Sequence, residues 1–176
     1  FADERDSPAD RWRIPLSISD ALDVFFDPLE QRFVLYHKMW LDRPDGAMGW
    51  KHGMGRTESA DFLTWAAPEL VLSPDEFDPE YLEFHHSPVF FYNGRYFALL
   101  QDLNRGERGG IIDIELALSR DGRHWQRPFR QPFFLARNAA GFDSGSLFTN
   151  GTPVFLEDEI RFYYGSYDQG ATGADD

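Results

Sequence analysis

The 176-residue chain contains no cysteine. That excludes disulfides and thiolate zinc sites and leaves the redox compartment unmarked. No apolar run approaches the ~18–20 residues that cross a bilayer as a helix, so no membrane partner is expected. Positive charge is scarce: 17 Lys and Arg stand against 30 Asp and Glu, a formal net charge of −13. A field of that sign repels phosphate backbones, which excludes nucleic acid and anionic surfaces as partners. Helical signal is weak too, because Pro79 interrupts the best candidate run. No nucleophile elbow, P-loop or metalloprotease helix occurs. Gly53-Met-Gly55 lacks the third glycine of a dinucleotide loop. No cofactor or metal ligand set is expected, and nothing indicates a structural cation.

Aromatic residues are abundant instead, at 16% of the chain, with 17 Phe, 7 Tyr and 5 Trp. With 42% apolar and 27% charged residues, the chain has the composition of a folded domain. It also repeats itself. Ser59-x-Asp61-x-x-x-Trp65-x-x-Pro68 recurs as Ser119-x-Asp121-x-x-x-Trp125-x-x-Pro128, 60 residues later. The Ser and Asp oxygens suit the backbone N–H groups of a tight turn, so this motif reads as an architectural staple.

A hairpin signature alternates with the staple: a β-rich run, a short polar turn, then Arg and aromatics. It appears at 25–36, 89–100 and 154–164, and a fainter start lies at 1–13. Residues 111–118 alternate Asp113 and Glu115 with aliphatics at period two, as a strand does, and 70–72 supply a further strand. Asp113 and Glu115 point the same way and are expected at the rim or surface. The approximate repeats are 1–68, 69–128 and 129–176. Four short strands per repeat is how one propeller blade reads, and the period argues against the other all-β solution, a free-standing sandwich.

The runs 61–78 and 114–125, with Phe142-Asp-Ser-Gly145 and Phe162-Tyr-Tyr-Gly165, resemble bacterial proteins described as glycoside hydrolase family 32 N-terminal-like. These belong with the five-bladed β-propellers of the β-fructosidase and arabinanase superfamily. The W-M-N-D-P-N-G, R-D-P and E-C motifs of true β-fructosidases are absent. The resemblance implies an all-β, five-bladed β-propeller. Five blades need about 310 residues, so this chain is expected to be an incomplete fragment of about three four-stranded blades, with the remaining blades missing. The start at Phe1 fits a trimmed chain, and it leaves cytoplasmic and exported locations both open.

The resemblance also implies a site in a central funnel, where the innermost strands begin. Asp23, the segment Glu83-Phe-His-His86 and Asp143 would meet there. Glycoside hydrolysis needs two carboxylates, one a general acid of raised pKa and the other a nucleophile or base. Asp23, Glu83 and Asp143 are the candidates for these roles. His85 and His86 would bind substrate hydroxyls, and Trp40 and Trp50 would stack on sugar rings. The expected function is hydrolysis of a neutral glycan by a pair of funnel carboxylates. The alternative is a non-catalytic carbohydrate-binding or interaction propeller.

Overall fold

Turn chemistry sets the local units. The computed structural model describes residues 21–41, 51–107, 109–131, 133–151 and 153–171. Strand β1 (Leu22–Asp27) turns through Pro28 to Gln31 into β2 (Arg32–Leu41), and Gln31 takes the left-handed conformation at φ 53°. β3 (Lys51–Ser59) and β4 (Glu69–Leu72) complete an antiparallel sheet in the order β1-β2-β3-β4. β5 (Leu82–Phe84) and β6 (Val89–Tyr92) both pair with the long β7 (Arg95–Asn104) and are separated by a break at 85–88. Asn93 and Gly94, both at positive φ, form the two-residue turn between β6 and β7. That is the Asn-Gly hairpin whose twist matches its strands.

β8 (Ile111–Ser119) and β9 (Trp125–Phe129) continue the meander. β10 (Ser146–Thr149) follows, then a small hairpin of β11 (Val154–Phe155) and β12 (Ile160–Arg161), and finally β13 (Tyr164–Tyr167) antiparallel to β10. The hairpins at 25–36 and 89–100 form as the sequence implies. The third is divided, because Tyr164 leaves β12 to pair with Thr149. The faint start at 1–13 lies outside the described residues.

Both staples form, with matching bonds. Asp61 Oδ1 accepts the backbone N–H groups of Leu63 and Thr64 at 2.9 and 2.7 Å, and Asp121 Oδ1 accepts those of Arg123 and His124 at 2.9 and 2.8 Å. Each indole N–H then donates to the turn, Trp65 to the Phe62 carbonyl and Trp125 to the Gly122 carbonyl, both at 3.2 Å. Gly122 has φ +71°, and a Cβ there would stand 2.7 Å from the Tyr36 hydroxyl, which itself donates to the Gly122 carbonyl at 2.8 Å. Gly122→Ala should therefore cost at least the ~1–2 kcal/mol of left-handed backbone, read as a lower urea midpoint with an unchanged slope.

The assembly differs from the propeller expected above. Among the described residues every regular element is a strand, so the all-β class stands. Only β1 to β4 make a self-contained four-stranded sheet. β5 to β10 and β13 join in one seven-stranded sheet of mixed direction, because β10 pairs with β8 in parallel through Ser146 and Ile112. The physical reason lies in β8. β9 covers only its Leu116–Ser119 end, leaving the other end open to β10 and to a bridge from Leu135. Open sheets packed face to face, sandwich-like, replace separate blades around an axis.

Period-two alternation along β7 and β8 builds two cores. Ala98, Leu100 and Ala117 face Val34, Tyr36 and Met54 of the first sheet. Leu99, Leu103, Ile112 and Ile114 face Leu147 of β10, with Phe148 and Phe162 packed alongside. The aromatic surplus serves these cores: Tyr36 meets Trp125 edge-on at 6.0 Å, and Phe90 stacks on Phe97 at 5.2 Å.

Candidate active site

The break between β5 and β6 sets the site, since it interrupts an edge strand between two carboxylates. Glu83 lies on β5 and is 2% exposed. Arg105, just past β7, donates to its Oε1 twice, from Nε at 3.0 Å and Nη2 at 2.6 Å. His52 of β3 brings Nδ1 to 3.2 Å from Oε2. His52 Nδ1 lacks hydrogen-bond geometry, so this pairing is chiefly electrostatic and is an ion pair when the ring is protonated. Burial alone would push the Glu83 carboxyl up. The His52 and Arg105 contacts outweigh it and hold Glu83 below the ordinary glutamate value, ionised at neutral pH.

Asp23 lies on the edge strand β1, across from Tyr36. Burial raises its pKa above the ordinary value, against backbone N–H bonds from Val89 and Val24. Val89 opens β6 immediately after the break, so Asp23 ties the first sheet to the far side of the gap that Glu83 begins. The two carboxylates thus have opposite tendencies: Asp23 is biased toward its protonated form and Glu83 toward its anion.

Within the break, His85 Nδ1 is 3.1 Å from Gln101 Oε1. Gln101 Nε2 in turn donates to the Thr149 carbonyl at 2.8 Å, linking the break to β10. The His85 ring meets Phe148 edge-on at 5.6 Å. His86 is half-buried beside it. Trp40, half exposed on β2, lies over His52 with ring centroids 3.9 Å apart. This makes an aromatic wall that continues into the His52–Glu83 contact. Trp50 lies outside the described residues.

Asp143 sits elsewhere, in the loop before β10. It is buried, and its Oδ2 accepts the Tyr164 hydroxyl at 3.0 Å. The carboxylate in turn raises the Tyr164 pKa. Among the described residues no hydrogen bond or ion pair joins Asp143 to Asp23 or Glu83. Asp113 and Glu115 do point the same way but are buried rather than at a rim, each bonded to an arginine, Arg137 and Arg127 respectively.

Three site residues escaped the sequence reading: His52, Gln101 and Arg105. His52 adjoins the rejected glycine pair, and those glycines have packing roles. A Cβ at Gly55 would stand 2.6 Å from the His37 ring, and one at Gly53 would stand 2.7 Å from the Leu72 carbonyl oxygen. Arg105 lies in a run that reads only as a turn. No group of three or more His, Asp or Glu among the described residues could hold a metal ion.

No protein-family model matches the chain, and no curated protein matches it. Solved structures do. An N-acetylgalactosamine deacetylase from F. plautii, in complex with blood group B trisaccharide, matches with a TM-score of 0.59 at 18% identity, over 80% of this chain and 38% of its own. A structure described as a glycoside hydrolase matches with a TM-score of 0.67 at 12% identity, over 86% of this chain and 42% of its own. At these identities the likeness shows the fold alone, and this chain spans less than half the length of either.

Proposed function

We propose that the chain carries the acid and base half-sites of a glycoside hydrolase-like cleft for a neutral glycan. The observation that supports this most is the opposed bias of the two carboxylates flanking the 85–88 break. Asp23 is raised by burial, and Glu83 is held ionised by Arg105 and His52. In such a cleft Asp23 would protonate the leaving oxygen, and Glu83 would act as nucleophile or as base toward water. His85 and His86 would hold ring hydroxyls, and Trp40 would offer its exposed face to a sugar ring. A fold shared with two carbohydrate-active proteins supports the substrate class by analogy alone.

The test is turnover of neutral aryl glycosides by the protein and by Asp23→Asn and Glu83→Gln. Each variant should lose about 10²–10⁴-fold in kcat with its fold intact by circular dichroism. Unchanged turnover in both variants would remove the assignment. A second reading, binding without catalysis, rests on one specific observation. Both Glu83 oxygens are already engaged, Oε1 by Arg105 and Oε2 by His52. Saturable glycan binding with no turnover in any assay would select that reading.

A further inference from the structure

Among the described residues arginines serve carboxylates almost without exception. Arg105 holds Glu83, Arg127 holds Asp78 and Glu115, and Arg137 holds Asp113. The others pair in the same way, down to the exposed Arg161 with Glu159. Arg95 and Arg120 depart from this rule, since neither side chain has a hydrogen bond, ion pair or ring contact. With 30 Asp and Glu against 17 Lys and Arg, carboxylates are in surplus, so these two guanidinium groups are not unpaired for want of anions in the chain.

The two stand together. Tyr96 opposite Ser119 is the last antiparallel pair of β7 and β8 at this end, and Arg95 and Arg120 are the next residue on each side. Like charges placed across from each other disfavour the bare arrangement. Both arginines line one cavity of about 360 Å³. Leu118 is the one apolar side chain among the described residues of that lining, so the cavity suits a charged group and not an apolar body. Gln126 of β9 adds an exposed amide that has no other partner. The second staple supplies the rest of the wall, and its groups are engaged within their own turn. Ser119 Oγ accepts the Gly122 N–H at 2.9 Å. Asp121, the one carboxylate of the lining, accepts two backbone N–H groups at Oδ1 and meets His124 Nδ1 at 2.7 Å from Oδ2. The unspent donors of the cavity are therefore the two guanidinium groups and the Gln126 amide.

Those donors select the anion. A carboxylate is filled by one bidentate guanidinium fork, whereas a tetrahedral oxyanion offers separate oxygens to two forks and to an amide. The cavity lies at the lower end of the ~300–1,000 Å³ of small-molecule sites, larger than the ion alone, so the anion fits as an ester on a small molecule. The net charge of −13 opposes any anion at long range. At about 0.1 M salt, however, exposed charges beyond ~10 Å are largely screened, and the two adjacent guanidinium groups dominate. We infer that this cavity binds the phosphate or sulfate ester group of a small molecule between Arg95 and Arg120, with Gln126 donating to a further oxygen. Neither Asp23 nor Glu83 lines it, and binding here does not rest on the glycosidase reading.

The experiment titrates D-glucose 6-phosphate, D-glucose 6-sulfate, D-glucuronate and D-glucose into the protein at neutral pH and about 0.1 M salt, followed by calorimetry. The four probes share a sugar body and differ in the group at one carbon. At least one ester should bind about tenfold or more tightly than glucose, the share expected of a charge-assisted bond, and the tighter ester identifies the source of the anion. Glucuronate, with two oxygens, should bind more weakly than that ester. Arg95→Gln and Arg120→Gln, both at exposed positions, should each weaken ester binding about tenfold with the urea midpoint unchanged. Arg161→Gln removes the same charge from an exposed position outside the lining and should leave the isotherms unchanged. Esters that bind no better than glucose overturn the proposal, as does glucuronate binding as tightly as the better ester. So does ester binding that survives both Arg95→Gln and Arg120→Gln, or that falls equally in Arg161→Gln.

Discussion

Replacing Arg127 by methionine is expected to destabilise the fold by about 3–5 kcal/mol, the measured range for removing one partner of a buried ion pair. The guanidinium is 3% exposed and holds Asp78 and Glu115, which are 5% and 0% exposed. Its bonds to Asp78 are 2.5 and 2.9 Å long, and its carbon lies 5.0 Å from the centre of the Phe84 ring. Methionine keeps most of the hydrophobic contact with Phe84 but leaves Glu115 buried without a cation and Asp78 with Arg130 alone, at 2.9 Å. Domains of this size hold only about 5–15 kcal/mol in all, so the variant should sit near the edge of folding. Urea unfolding at neutral pH measures the loss. Adding Asp78→Asn and Glu115→Gln to Arg127→Met should recover much of the deficit at neutral pH. A loss below about 1 kcal/mol would mean that water already reaches the cluster.

The second large effect is expected at Asp27, the last residue of β1. Its carboxylate is 1% exposed and accepts the Tyr96 hydroxyl at 2.7 and 2.9 Å. It also accepts the backbone N–H groups of Leu29 and Glu30 at 2.8 and 3.1 Å. One side chain therefore closes the β1–β2 turn and fastens the first sheet to β7. The Asp27 carboxylate and burial together hold the Tyr96 hydroxyl firmly protonated, burial being the larger cause. Asp27→Ala strands a buried hydroxyl and two turn donors, a loss of about 3 kcal/mol at bonds of this charged type. Tyr96→Phe removes only the cross-sheet bond and should cost about 1–1.5 kcal/mol. A double-mutant cycle over the two variants reads the cross-sheet share as their coupling. Additive losses would show that Asp27 works only within its own turn.

These local devices were legible in the sequence because each is encoded within a few residues. Ser59 with Asp61, and Ser119 with Asp121, specify their turns without reference to the rest of the chain. Asn93-Gly94 specifies a hairpin for the same reason. The assembly was not legible in that way. The pairing that merges the second and third repeats is a single parallel partnership, Ser146 with Ile112, and neither residue type announces it. A repeat of strand, turn and strand is compatible with blades or with stacked open sheets, because both bury the same alternating face. In the site, Glu83 stood out as an acid beside two histidines. Its partners His52 and Arg105 come from other strands and were invisible until the strands were placed. The alternation of Asp113 and Glu115 points to a surface, because a lone strand shows no arginine above them. The arginines that bury them, Arg137 and Arg127, arrive from the segment beyond β8 and from β9.

The alternating burial of β7 and β8 also sets the order in which the molecule comes apart. Leu99 and Leu100 are consecutive, 1% and 0% exposed, and belong to opposite cores. Neither strand can separate from its neighbours until both cores have opened, so their amides are the last to meet solvent. β13 has neighbours on one side only, and three of its four residues are exposed. The fold therefore frays from β13 inward, and its slowest-exchanging unit is the β7–β8 pair.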